Sequence, residues 1–157
     1  NAAKSAVDRP WNRKFLGFSF TVKDRRCKVA PKSLERFREK VRYITRRSRG
    51  RSFEQVTREL TRYLQGWKQY FGYAETRRDF KELDSWLRRK LRCLIWKQWG
   101  HCSKRYRELC GRGVRRYVAW VTAKSGHGPW RLSRSPAMQT AFRAAWFSAL
   151  GLPSLYR

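Results

Sequence analysis

The stretch SFEQVTRELTRYLQGWKQYF, Ser52 to Phe71, decides the fold. Ser52 followed by Gln55 has the spacing of a capping box, in which the serine hydroxyl accepts from the N3 amide and the glutamine side chain reaches back to the cap amide. Val56, Leu60, Tyr63, Leu64, Trp67 and Phe71 then recur at intervals of one, three and four, an apolar stripe along one helix. Gly66 interrupts it and is expected to let another backbone approach. Upstream, Pro31 suits a first helical turn, and Leu34, Phe37, Val41 and Ile44 continue the same period with Arg36, Lys40 and Arg47 opposite. Ser48 to Arg51, with Gly50, closes that helix. Downstream, Thr76 with Asp79 offers a second capping box. Phe80, Leu83, Leu87, Leu91 and Leu94 mark a third amphipathic helix ending near Gly100. Three helices of this kind predict a compact bundle.

The flanks read differently. In KFLGFSFTV, Lys14 to Val22, Leu16, Phe18, Phe20 and Val22 alternate with Phe15, Gly17, Ser19 and Thr21, the period of a strand with one apolar face. Lys23 to Arg26 forms a polar turn, and Cys27 to Val29 returns as a second strand. Gly17 points to a bulge or a close backbone approach, and a hairpin this short needs a packing neighbour, inside this chain or outside it. Beyond Glu108 the chain carries no acidic residue but eight Arg or Lys. Val114, Tyr117, Val118 and Val121 suggest a short fourth helix. A loop is expected over 122–136, then a last helix with Met138, Ala141, Phe142 and Ala145 before Gly151-Leu152-Pro153. The fold class is therefore mainly α: a short N-terminal β-hairpin, a three-helix bundle and a smaller helical C-terminal segment. The expected divisions are 1–30, 31–100 and 101–157.

Charge bounds the partner. Lys and Arg number 39 against 11 acids, a net charge of +28. So large an excess predicts a polyanion, since neutralised phosphates release condensed counterions, and it destabilises the isolated chain by self-repulsion. Eight Trp, seven Tyr and nine Phe argue for a folded domain rather than a disordered basic tail. No apolar run has membrane-spanning length, and Asn1-Ala2-Ala3-Lys4 does not begin an apolar signal core. The four cysteines lack CxxC spacing and read as reduced thiols of a cytoplasmic protein.

The basic clusters are the candidate nucleic-acid contacts. Arg46, Arg47, Arg49 and Arg51 surround the first interhelical turn; Arg77 and Arg78 open the third helix; Arg88, Arg89, Lys90 and Arg92 lie within it, off its leucine stripe. Arg112, Arg115 and Arg116 follow, then Trp130, Arg131 and Arg134. Arginine favours planar, bidentate phosphate contact and stacking on bases. Against this stands the plain alternative of solvated helix faces. Trp67, Tyr70, Phe71, Tyr73, Trp86, Trp96, Trp99 and Trp130 interleave with these clusters, either to stack on unpaired bases or to fill the core. Periodicity favours core for Trp67 and Phe71, and leaves Trp130 open.

Catalytic chemistry finds little to work with. Cys93, His101, Cys102 and Cys110 are spaced C-x7-H-C-x7-C, which matches no compact zinc module. The acids are single and mostly one helical step from an arginine, as Asp84 is from Arg88, the pattern of surface ion pairs. No catalytic residue and no metal-binding or cofactor-binding set is expected.

Four segments carry a resemblance to a known family. KSAVDRPWNRKFLGFSF resembles the last palm segment of bacterial group II intron reverse transcriptases. GWKQYFGYAE resembles the maturase motif that closes the second thumb helix, and LDSWLRRKLRCLIWKQW resembles the helix after it. GPWRLSRSPAMQTAF with LGLPSL resembles the end of members without an endonuclease domain. The resemblance implies that 1–30 ends the palm and 31–100 is a thumb-like maturase bundle that holds intron RNA and template–primer. It implies that 101–157 is a DNA-binding segment used on target DNA. Arg46, Arg47, Arg49, Arg51, Arg77, Arg78, Arg88, Arg89, Lys90 and Arg92 are then the expected RNA contacts, and Arg112, Arg115, Arg116, Trp130, Arg131 and Arg134 the DNA contacts. The family's Tyr-x-Asp-Asp polymerase motif is absent, so Mg2+ is expected only with a polymerase domain, supplied in cis or trans. The expectation is a bacterial, cytoplasmic, non-catalytic maturase module that assists folding and splicing of a group II intron. The alternatives are one part of an active RNA-directed DNA polymerase, and a generic basic RNA-coating protein. No membrane partner is expected.

Overall fold

The computed structural model describes residues 8–46 and 50–156. After a single 3-10 turn at Pro10–Asn12 come two short strands, β1 (Phe18–Phe20) and β2 (Cys27–Val29). Eight helices follow among the described residues: α1 (Pro31–Ile44), α2 (Phe53–Phe71), α3 (Arg77–Gln98), α4 (Cys102–Gly111), α5 (Arg116–Lys124), α6 (Pro129–Leu132), α7 (Pro136–Ala141) and α8 (Ala144–Ala149). The chain is mainly α with an N-terminal hairpin, as its periodicities predict. None of these helices is long and apolar enough to cross a membrane.

The three long helices follow their stripes. Phe37, Val41 and Ile44 of α1, Val56, Leu60, Leu64 and Trp67 of α2, and Phe80, Leu83, Leu87, Leu91 and Leu94 of α3 are buried in one core. Pro31 occupies the first turn of α1, where its missing N–H costs nothing. At the start of α2 the capping box forms in both directions: Ser52 Oγ accepts from the Gln55 amide at 3.2 Å, and the Ser52 amide donates to Gln55 Oε1 at 3.1 Å. The second expected box does not form, because Thr76 turns its hydroxyl to Asp79 Oδ2 at 2.9 Å and caps no amide. Gly66 is exposed with open space around it, so it admits no neighbouring backbone.

The hairpin departs from the strand expected over 14–22. Phe15 and Phe18 exchange backbone hydrogen bonds of 2.9 Å around Leu16 and Gly17, which both take positive φ, +49° and +84°. Two left-handed residues make a tight turn, and β1 is left with three residues, paired antiparallel so that Phe18 faces Val29. The expected apolar face is not buried: Leu16 is 67% and Val22 69% exposed. Phe18 instead packs on Phe71 and Tyr70 of α2, with ring centroids 5.2 and 5.8 Å away. Tyr70 Oη donates to the Leu16 carbonyl at 2.8 Å. The hairpin's packing neighbour therefore lies within the chain.

The C-terminal third is more helical than its pattern suggested. α4 shows little apolar stripe, and only Leu109 in it is fully buried, so periodicity does not reveal it. α5 turns Ala119, Thr122 and Ala123 inward and leaves Tyr117 and Val121 out, a rotation from the expected face. The loop expected over 122–136 contains α6. The expected last helix is split into α7 and α8 because Phe142, buried in the core, takes φ −129° and ψ 71° between them. The core is continuous from Val29 to Leu155, with α3 packed against α6 and α4 against α5.

Candidate nucleic-acid interface

The arginine run of α3 falls where that helix is enclosed on most sides. Besides its leucine stripe, α3 buries Asp84, Cys93, Ile95 and Trp96. Arg88, Arg89, Lys90 and Arg92 are consequently half-buried rather than arrayed on a solvated face. Arg92 donates from both Nε and Nη2 to the Phe142 carbonyl, at 3.0 and 2.9 Å, across the junction of α7 and α8. Arg89 donates from Nη2 to the Trp130 carbonyl at 3.1 Å, and its guanidinium carbon lies 3.8 Å from the Trp130 ring centroid. Lys90 Nζ approaches the same ring at 5.7 Å. Burial pushes Arg89, Lys90 and Arg92 below their ordinary pKa values, and Arg134 adds to the effect on Arg89. Charged groups held in this way are partly desolvated.

The remaining predicted contacts divide into free and engaged. Arg77 is exposed at the start of α3, and Arg78 beside it pairs with Glu82 at 3.0 Å. Arg46 is exposed; Arg51 pairs with Glu59; Arg47 and Arg49 lie outside the described residues. Arg112 pairs with Glu108 and covers the rings of Phe142 and Trp99 at 5.1 and 5.6 Å. Arg115, Arg116, Arg131 and Arg134 are exposed. The Arg134 guanidinium makes no hydrogen bond or ion pair with the described residues, and Trp130 is 39% exposed. Arg89 and Lys90, read as RNA contacts, thus meet Trp130 and Arg134, read as DNA contacts, on one surface.

Half of the interleaved aromatics are packing, while Tyr70, Tyr73 and Trp130 are exposed. Trp67, Trp96 and Trp99 are buried. Phe71 is held between Phe18, Trp67 and Tyr70. Burial removes these rings as stacking platforms. Trp86 is half-buried with the Arg42 guanidinium 5.8 Å from its ring. Among the exposed aromatics not singled out by sequence are Trp120, with Lys124 Nζ 4.4 Å from its ring, and Tyr117, which the periodicity assigned to a buried face. The signal that could have found them is the pair Ala119 and Ala123, whose small side chains let α5 pack closely on that side.

Asp84 corrects the reading of a surface ion pair. It is 4% exposed, and its carboxylate accepts from Ser154 Oγ, the Leu155 amide and the Tyr156 amide at 2.6, 3.0 and 3.2 Å. Arg88 Nη1 stands 4.0 Å away. Its hydrogen-bonding capacity goes to the C-terminal segment, the role of an anchor rather than of an acid or base. Among the described residues no group of three or more His, Cys, Asp or Glu comes together, so Cys93, His101, Cys102 and Cys110 do not converge.

The surface is thus one of cations with few acids among them, carried on α3 and on the segment docked against it. Comparison with curated proteins finds no match to the chain. The family model for the group II intron, maturase-specific domain, matches residues 34–113, from α1 through α4. That match covers more than half of the chain, which therefore belongs to the group II intron maturase-specific domain family.

Proposed function

We propose that this chain is an RNA-binding maturase module that stabilises the folded form of a group II intron and leaves the splicing chemistry to the RNA. The observation that carries the reading is the cationic surface formed by α3 and the C-terminal segment in a chain of net charge +28. Within it Arg89 and Arg92 are positioned by backbone carbonyls rather than neutralised by acids. Prepositioned guanidiniums grip phosphates at a lower entropic cost than free side chains, and each phosphate neutralised adds to a steep salt dependence. A binding competition tests the reading directly. A folded group II intron RNA should displace an equal mass of unrelated structured RNA with a preference of about a hundredfold, roughly 2.7 kcal/mol. The affinity should fall steeply with salt. Equal binding of both RNAs would reduce the chain to a generic RNA-coating protein.

One observation favours a second, catalytic reading, in which the chain is the thumb of an RNA-directed DNA polymerase. Phe15, Leu16 and Val22 stand exposed on one hairpin, an apolar area that a palm domain would cover. Addition of a separately produced polymerase domain should then yield a stable complex that copies RNA into DNA. Charged substitution at Leu16 and Val22 should abolish that complex without unfolding the chain.

A further inference from the structure

Between α3 and the segment joining α6 to α7 runs an open groove of about 430 Å³. Trp86, Arg89 and Arg92 line it from α3, Arg134 and Gln139 from the other side. Its only acid is Glu82, already paired with Arg78 at 3.0 Å. Three guanidiniums therefore face one cleft without a free carboxylate among them. Arg92 spends Nε and Nη2 on the Phe142 carbonyl, and Arg89 spends Nη2 on the Trp130 carbonyl. Among the described residues Arg89 Nε, though buried, has no hydrogen-bond partner, and neither has the Arg134 side chain. The Gln139 side chain donates to the Arg134 carbonyl at 2.7 Å, which fixes the backbone from which Arg134 projects. Like charges gathered at that cost need an anion to offset them, and the ring of Trp86 adds an apolar wall.

We propose that this groove holds a single unpaired nucleotide of a nucleic-acid strand, its phosphodiester between Arg89 and Arg134 and its base against Trp86. The two-sided lining distinguishes this from a generic basic face. A flat cationic surface attracts a duplex backbone anywhere along it, whereas a cleft with an aromatic wall takes one splayed-out residue. The groove would also let one strand contact the bundle and the C-terminal segment together. The inference rests on the maturase reading for its nucleic-acid partner but concerns a separate subsite. RNA and DNA share the chemistry, and the test separates them.

The experiment follows the Trp86 indole resonance, assigned by its loss in Trp86→Phe, while a hexamer of uridylate or of thymidylate is added to the full chain. The expected result is a saturable shift of that resonance with at least one of the two oligomers, the tighter one naming the natural strand. Arg134→Ala should weaken binding about tenfold and lower the salt slope by about one, and Arg134→Lys should restore part of both. Because the Arg134 side chain is exposed and bonded to none of the described residues, its loss should leave the fold intact. An unmoved Trp86 resonance, or an Arg134→Ala chain that binds as tightly as the parent, would overturn the groove and leave the intron competition untouched. Loss of intron preference with the Trp86 response preserved would overturn the maturase reading instead.

Discussion

Asp84, in the second turn of α3, accepts a hydrogen bond of 3.0 Å from the backbone amide of Leu155, 71 residues further along the chain. Ser154 and Tyr156 complete the grip on the same carboxylate. Removing it strands one buried and one half-buried amide as well as the charge interaction. Asp84→Ala should therefore cost about 3 kcal/mol in urea unfolding, and Asp84→Asn about half that. Amide exchange at 154–156 should accelerate in both variants. An alanine variant as stable as the parent would show that the C-terminal end is held by apolar packing alone.

Arg92 ties the middle of the same segment through its two bonds to the Phe142 carbonyl. Replacement by alanine should cost about 2 kcal/mol, since a charge-assisted pair and a buried acceptor are lost together. Lysine, with one donor in reach at best, should recover only part. Limited proteolysis between α6 and α8 should become faster. A purely phosphate-binding arginine would leave the free protein's stability unchanged, which is the contrast to look for.

Gly17 takes φ +84°, and a Cβ there would stand 3.0 Å from Ser33 Oγ and 3.2 Å from the Phe71 ring. Ser33 also donates to the Gly17 carbonyl at 3.1 Å, so that hydroxyl is not free to retreat. Gly17→Ala should destabilise the hairpin by about 2 kcal/mol. The loss should appear as weakened protection of the Ala30 amide, which donates to Gly17 at 2.8 Å. Unaltered exchange at Ala30 would argue against this packing.

The cysteines should separate by burial. Cys93 is buried, and desolvation pushes its thiol above the ordinary value despite Lys97, Lys90 and Arg89 nearby. Cys102 is exposed at the start of α4. With iodoacetamide at mildly alkaline pH, mass spectrometry should show Cys102 alkylated first and Cys93 only on unfolding. Equal labelling of the two in the folded chain would contradict the placement of α3.

The periodic part of this fold was legible before any coordinates. Val56, Leu60, Leu64 and Trp67 repeat every three or four residues because α2 buries one face, and the Ser52–Gln55 cap works through neighbouring backbone. The same holds for the stripes of α1 and α3, and net charge alone pointed to a polyanion. Where the local signal is weak, prediction failed. α4 buries one leucine, α5 packs through alanines, and the Leu16–Gly17 turn interrupts an alternation that otherwise reads as strand.

What sequence by itself determined is the set of long helices, their apolar faces and the sign of the partner's charge, because each is written within a few residues of chain. Only the tertiary structure decided which cations are spent and which are free. Arg92 and Asp84 look like surface charges on a helix, yet each is committed to a segment 50 or more positions away. Arg134, read with a different set, comes to face Arg89 across one groove. Helical periodicity records burial against a core and carries no information about which distant backbone carbonyl or amide will arrive there.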